Sequence, residues 1–290
     1  MKFAVIGGDM RQAKLSELLS ADGHTVSAFA IDKIRLEGGV VQTDHAQEAA
    51  EGADCVILPL PMSSEKGLIS APLSAGLHTT RETLSVLHPE QIICAGRIDT
   101  SEYELSGTLG LNLTDYLQRE ELAVLNAVAA AEGALQLMME ETAITAWRSN
   151  VLVLGFGRIA RLLCHRLRGL GAAVTATART YADLAWINAY GYESIETVAL
   201  DGKLGGFDVV VNTIPARVLG EARLRELKPG CLCLDLASKP GGLDFSAAAE
   251  LGIKALWALG LPGEVAPITS GAIIRDTVYN ILREKGFVIP

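Results

Sequence analysis

Aromatic side chains are scarce in this chain of 290 residues, at 5%, and its 25 lysines and arginines are outnumbered by 34 aspartates and glutamates, a formal net charge of -9. A molecule of that charge repels polyanions, so neither nucleic acid nor an anionic membrane surface is an expected partner. Any anionic ligand has to be held by local cations or by helix termini. Cysteine is sparse too: Cys55, Cys94, Cys164, Cys231 and Cys233 form an odd set with no Cys-x-x-Cys pair. That argues against a disulfide frame or a zinc site and predicts buried thiols, with no metal. No uninterrupted apolar run approaches the ~18 residues of a membrane span. Met1-Lys2 opens directly into an apolar run with no charged-then-apolar leader, so a cytoplasmic location is expected. What is plentiful is hydrophobic residues, 49%, and glycine, 29 residues. With few aromatics, that balance suits an α/β protein with many tight turns, and the length allows two domains of about 100 to 150 residues.

One stretch stands out. Val151, Leu152, Val153 and Leu154 run into Gly155-Phe156-Gly157-Arg158-Ile159-Ala160, and a helix-favouring segment follows over 159–170. This is the pattern of a strand, tight turn and helix start in a dinucleotide-binding unit. Gly155 permits the turn, Gly157 lets backbone N–H groups approach a pyrophosphate, and Ala160 lets the helix pack close to the strand.

Similar alternations fill the rest of the chain. Residues 3–6 form an apolar run that meets Gly7-Gly8-Asp9 and a helical pattern through Leu15, Leu18 and Leu19, but the second dinucleotide glycine is missing. A Rossmann-like unit without a nucleotide of its own is expected there. Strands are predicted over 25–31, 40–41, 55–58 and 91–95, and in the second half over 174–177, 207–213, 231–236 and 253–256. Helices are predicted over 182–189 and 219–227, one or two over the alanine-rich stretch 116–145, and a last one over 268–285, which Pro267 is well placed to begin. Such alternation predicts parallel sheets, whose ligands collect beyond the strand C-termini.

A NAD site carries an acid at the end of its second strand, and a NADP site carries a cation nearby. Here that strand ends Thr177-Ala178-Arg179-Thr180, with no carboxylate. Arg179 offers bidentate bonds to a 2′-phosphate and the Thr177 and Thr180 hydroxyls could add more, so NADP is the expected cofactor. Asn212-Thr213-Ile214-Pro215 and Asp235-Leu236-Ala237-Ser238, followed by Lys239-Pro240-Gly241-Gly242, close the fourth and fifth strands where a nicotinamide would lie. They are equally readable as turn formers.

These blocks resemble the A-subunits of the dipicolinate synthase family nearly end to end. The resemblance rests on Ala4-Val5-Ile6-Gly7-Gly8-Asp9 with Arg11-Gln12, Arg119-Glu120 with Asn126 and Glu132-Gly133, and Gly155-Phe156-Gly157-Arg158. It extends through Asn212-Thr213-Ile214-Pro215, Asp235-Leu236-Ala237-Ser238 with Pro240-Gly241-Gly242, and Gly260-Leu261-Pro262-Gly263 with Ala266-Pro267. One departure is Val128-Ala129-Ala130-Ala131, where a Pro-Thr pair is expected before Glu132. The resemblance implies an α/β fold of two Rossmann-like, doubly wound parallel-sheet domains with an interdomain cleft, as in the 2-hydroxyacid dehydrogenases. The expected division is a substrate domain over 1–120, a connecting helical region over 121–146 and a NADP-binding domain over 147–266, with a C-terminal helix over 267–290 packing back on the first. The implied reaction forms dipicolinate (pyridine-2,6-dicarboxylate) from dihydrodipicolinate or 4-hydroxytetrahydrodipicolinate during sporulation, in the mother cell, beside a flavoprotein-like B-subunit. A homo-oligomer or hetero-oligomer is therefore expected.

A dianionic heterocyclic substrate needs anion contacts, for which Gly8, Arg11, Arg97, Lys239 and Thr269 are candidates, and a base, for which Asp9, Glu132 and His78 are candidates. Two other readings stay open: a reductase of the shikimate-dehydrogenase kind, suggested by Ala178-Arg179-Thr180, and a catalytically silent NADP-binding scaffold for the B-subunit.

Overall fold

In a computed structural model the described residues are 1–65 and 67–289, and the chain divides into two compact units, Met1–Asn126 with Ala266–Pro290, and Ala127–Val265.

The first unit begins with β1 (Lys2–Ile6), α1 (Met10–Ala21), β2 (Thr25–Phe29), β3 (Val41–Thr43), α2 (Ala46–Ala50) and β4 (Cys55–Ile57). A small antiparallel ribbon, β5 (Ser63–Glu65) and β6 (Leu68–Ile69), leads to α3 (Thr80–Ser85), β7 (Ile92–Ala95), α4 (Thr100–Thr108) and β8 (Leu113–Asp115). The sheet runs β3-β2-β1-β4-β7-β8 with every pairing parallel. Strand order therefore reverses between β1 and β4, the switch point of a doubly wound fold. The strand expected over 25–31 stops at Phe29 because Ala30 turns to φ +59, out of the extended region. The ribbon and β8 escaped the sequence reading: each is two or three residues long, too short to show a period.

After a 3-10 turn, Tyr116–Gln118, a single helix, α5 (Glu120–Glu141), crosses from one unit to the other, where one or two helices were expected. By length and composition α5 is the one described helix able to cross a bilayer, and 44% of its apolar window is buried inside the protein. Leu122 enters the first unit's core, and Ala131, Ala134 and Met138 enter the second's.

The second unit comprises β9 (Asn150–Leu154), α6 (Arg158–Gly169), β10 (Ala173–Ala178), α7 (Tyr181–Ala189), β11 (Glu193–Glu196), β12 (Val209–Asn212), α8 (Glu221–Leu224), β13 (Leu232–Asp235), α9 (Phe245–Glu250), β14 (Lys254–Trp257) and α10 (Leu261–Val265). Its sheet repeats the topology, β11-β10-β9-β12-β13-β14, again wholly parallel. Fully buried Val151, Val153, Val209 and Leu234 line one face, and Leu152, Leu154, Val210 and Cys233 the other. That explains the unbroken apolar runs: strands covered on both faces show no alternation. The helix expected over 219–227 shrinks to the single turn α8, bounded by Gly220 as its N-cap.

Finally α11 (Pro267–Glu284) returns to the first unit. It packs along α1, and Gly271 makes that approach possible: a Cβ there would lie 2.9 Å from the Arg11 carbonyl oxygen and from the Leu15 nitrogen. The helix spans Pro267–Glu284, within one residue of the expected 268–285 at each end, so the C-terminal segment 267–290 is helical to Glu284, and residue 290 lies outside the described residues.

Candidate functional site

In the second unit the glycine turn spans the switch point between β9 and β12. Gly155 sits at φ +96, and a Cβ there would come within 2.6 Å of Thr213 Oγ1. Its N–H donates to Thr177 Oγ1 at 3.0 Å, and Thr197 donates to the same oxygen at 3.3 Å. Thr177 is wholly buried, so its hydroxyl fixes the turn and is not the phosphate contact expected from the sequence. Thr213 closes the other side, with its N–H and its hydroxyl both donating to the Leu154 carbonyl, at 3.0 and 2.8 Å.

Gly157 differs. Its φ of -79 suits any residue, it caps α6 with no side-chain hydrogen bond, and a Cβ added there would meet nothing within 4 Å. Packing within the protein does not demand glycine at 157. What the missing side chain provides is open space over the first N–H groups of α6, the beginning of a helix of 12 residues that includes Arg158 and Ile159. Those donors and the positive end of the helix dipole suit a pyrophosphate, and the residues present fit a dinucleotide. Phe156 is buried, and its carbonyl accepts from Arg161 Nε at 3.0 Å. Ala160 is fully buried, which allows the helix to sit close on the sheet.

At the end of β10, Ala178 is buried, while Arg179 and Thr180 are exposed. Thr180 is the N-cap of α7: its hydroxyl accepts from the Asp183 N–H at 3.1 Å and donates to the Asp183 carboxylate at 2.8 Å.

The ends of β12 and β13 are joined below the surface. Asn212 and Asp235 are fully buried. Asn212 Nδ2 donates to Asp235 Oδ1 at 2.7 Å and to the Ile214 carbonyl at 2.9 Å, while its Oδ1 accepts from the Ile214 N–H. Asp235 also accepts from the N–H groups of Ala237, Gly242 and Leu243. Every polar atom of the pair is therefore used to shape the loops 213–217 and 236–243. The glycine pair follows from this, since a Cβ on Gly242 would fall 2.3 Å from Asn212 Nδ2 and one on Gly241 2.9 Å from Asp235 Oδ2. Trp257, which the sequence did not single out, donates its indole N–H to the Ala237 carbonyl at 2.9 Å. Leu236 and Ala237 are buried, and Pro215, Ser238 and Lys239 are exposed. Glu132 faces Arg166 of α6 at 2.9 Å.

In the first unit the corresponding glycine turn is filled from within. The Gly7 and Gly8 N–H groups donate to the Phe29 and Ser70 carbonyls at 2.8 and 2.7 Å, and a Cβ on Gly8 would lie 2.5 Å from the Gln12 side chain. Asp9 caps α1, accepting from the Arg11 N–H at 2.9 Å, while Gln12 reaches back to the Asp9 N–H at 3.2 Å. Arg11 is buried and committed, pairing with Asp9 at 2.8 Å and donating to the Leu60 carbonyl, so it holds the edge of the sheet rather than presenting a free charge. Arg97 is exposed at φ +56, held in that left-handed conformation by Asp115, whose carboxylate accepts from the N–H groups of Arg97, Ile98 and Leu117. Thr269 is exposed on the first turn of α11.

His78 belongs to a group that the sequence did not reveal, because its members lie far apart along the chain. Ser74 Oγ donates to Asp32 at 2.7 Å and lies 2.8 Å from His78 Nε2, and the His78 ring meets Phe29 edge-on at 4.8 Å. The Ser74 hydroxyl first, and then the Ala75 N–H, hold the Asp32 carboxyl below its usual range. An ionised Asp32 can only accept, so the one hydroxyl proton goes to it and Ser74 accepts from His78 Nε2–H. Nδ1 is the ring nitrogen not engaged by Ser74.

Comparison with known proteins matches residues 2–117 to the N-terminal domain of the dipicolinate synthase A-subunit. The dipicolinate synthase A-subunit of Bacillus subtilis is 32% identical over 287 residues, 98% of this chain and 96% of that protein. The crystal structure of the dipicolinate synthase A-subunit from Bacillus halodurans superimposes with a TM-score of 0.88 at 31% identity, covering 97% of each chain. A shikimate dehydrogenase (NADP(+)) of Citrifermentans bemidjiense is 27% identical over 246 residues, 77% of this chain and 82% of that protein. D-lactate dehydrogenase of Escherichia coli shares the fold, with a TM-score of 0.66 at 18% identity over 100% of this chain and 99% of that one.

Proposed function

Because this chain belongs to the family of dipicolinate synthase A-subunits, we propose that it is the NADP-dependent oxidoreductase component that makes pyridine-2,6-dicarboxylate, in the mother cell of a sporulating bacterium, together with a flavoprotein-like B-subunit. Family membership supports the coarser reading of a nicotinamide-type oxidoreductase. One observation carries it to this chain: the open space at Gly157, the N-cap of α6, where a Cβ would meet nothing within 4 Å.

Gly155, Phe156, Gly157, Arg158 and Ile159 would hold the pyrophosphate, and Ala178, Arg179 and Thr180 the adenosine ribose with its 2′-phosphate. The preference for NADP rests on Arg179, exposed at a strand end that carries no acid. The loops 213–217 and 236–243, fixed by Asn212 and Asp235, would frame the nicotinamide, which when bound supplies a hydride acceptor. Oxidising a dihydropyridine creates an aromatic ring, so the reaction runs downhill and the protein's main task is alignment. Arg97, Lys239 and Thr269 would be the substrate contacts, the two cations because they are exposed, whereas the Gly8 N–H is already taken by the Ser70 carbonyl. Among the candidate bases, Asp9 and Glu132 would each have to leave an arginine, whereas His78 is held by Ser74 through Nε2, and its other ring nitrogen, Nδ1, would take the ring proton. We assign it that role.

The test is to give the purified protein, alone and with the B-subunit, NADP and freshly generated 4-hydroxytetrahydrodipicolinate, following reduced nicotinamide and pyridine dicarboxylate together. Formation of both is expected, with NAD giving far less. Product without nucleotide turnover would make the chain a scaffold for the B-subunit. Shikimate-dependent turnover would instead favour the reductase reading, to which Ala178-Arg179-Thr180 and the shikimate dehydrogenase match lend weight.

A further inference from the structure

Arg161 and Asp183 connect the two turns of the proposed cofactor site. Arg161 lies on the first turns of α6, where its Nε donates to the Phe156 carbonyl at 3.0 Å and its guanidinium stands 5.0 Å over the Phe156 ring. Its Nη2 reaches Asp183 Oδ1 on the first turn of α7 at 3.1 Å. The other carboxylate oxygen of Asp183 accepts from the Thr180 hydroxyl at 2.8 Å. The glycine turn and the Arg179 turn are thus linked through Phe156, Arg161, Asp183 and Thr180.

Asp183 sits one hydrogen bond from Thr180, beside the arginine expected to take a 2′-phosphate. An unneutralised carboxylate there would repel that group and would attract ribose hydroxyls instead. Arg161 cancels the charge and, with Thr180, engages both carboxylate oxygens. We propose that the Arg161–Asp183 pair is a specificity determinant: Arg161 neutralises and immobilises Asp183, so that the turn accepts a 2′-phosphorylated adenosine and rejects the plain one. The inference rests on the NADP reading above. It adds that selectivity depends on a carboxylate held silent as well as on Arg179.

The experiment measures binding of adenosine 2′,5′-bisphosphate and of adenosine 5′-monophosphate to the full chain by calorimetry, with thermal melting as a control for folding. The readout is the ratio of the two affinities. Loosening the glycine turn weakens both ligands alike, so the ratio isolates the charge at Asp183. Arg161→Ala is expected to lower the preference for the bisphosphate by about five- to tenfold, as befits a half-exposed charge pair. The effect should shrink as salt is raised. Arg161→Lys should keep most of the preference, and Arg161→Ala with Asp183→Ala should restore it. An unchanged ratio in Arg161→Ala, or no recovery in the double variant, overturns the proposal while leaving the NADP reading intact. A folded wild-type chain that binds neither ligand, or binds them equally, overturns both.

Discussion

Replacing Gly157 with alanine is expected to leave the fold intact and to cost nucleotide affinity, because the new methyl would stand in the open space where the proposed pyrophosphate would come close. A thermal midpoint near that of the wild type, with NADP binding weakened by about tenfold or more, is the expected result, read by melting and calorimetry. Gly155→Ala should do the opposite kind of damage. At φ +96 and 2.6 Å from Thr213 Oγ1, a Cβ strains the backbone and strikes the neighbouring strand end, a loss of about 2 kcal/mol or more of stability. The spacing of these two glycines is local, which is why their turn is legible in the bare sequence. The partners of Arg11, Thr177, Asn212 and Asp235 are not local. Arg11 reads as a free cation until Asp9 and the Leu60 carbonyl are seen around it, and Thr177 reads as a ligand contact until Gly155 is found on its hydroxyl.

Among the elements, the most informative is the segment 70–79, which leaves the small ribbon and is tied to the end of β2 by Asp32, Ser74 and His78. Ser74 chiefly, and Ala75 after it, depress the Asp32 carboxyl. A carboxyl whose folded value is lowered stabilises the protein above its unfolded value, about 3.9, and loses that contribution as pH falls through the folded value. Ser74→Ala should therefore melt earlier than the wild type at about pH 7 and converge on it as pH falls through the lowered folded value of Asp32, in a series of thermal midpoints from neutral to acid pH. A constant difference at every pH would show that the segment is held by packing alone. Elements with a single dominant environment, such as the buried strands β9 and β13 and the long α11, are readable from their apolar runs. The ribbon, β8 and the single-turn α8 were not, since elements that short take their form from tertiary neighbours.

On the scale of the whole molecule, the first unit is assembled from both ends of the chain. Ile274, Val278, Ile281 and Leu282 of α11 are at most 3% exposed and belong to its core. Each is worth about 2 kcal/mol when buried, so losing four of them equals or exceeds much of the 5 to 15 kcal/mol that a typical domain has to lose. A chain stopped after Val265 is expected to keep a folded, nucleotide-binding second unit beside an unfolded first one. Limited proteolysis should then spare the second unit, with residues upstream of about 127 cut freely.

The same return of α11 has a consequence for the order in which the protein comes into being. Chains are made from the N-terminus and domains fold as units as they emerge. The second unit is continuous, so all its parts exist once Val265 has left the ribosome, while the first, begun earlier, still lacks the helix that lies along α1. The first unit is thus completed after the second, and it waits on α11 while its neighbour is already able to fold.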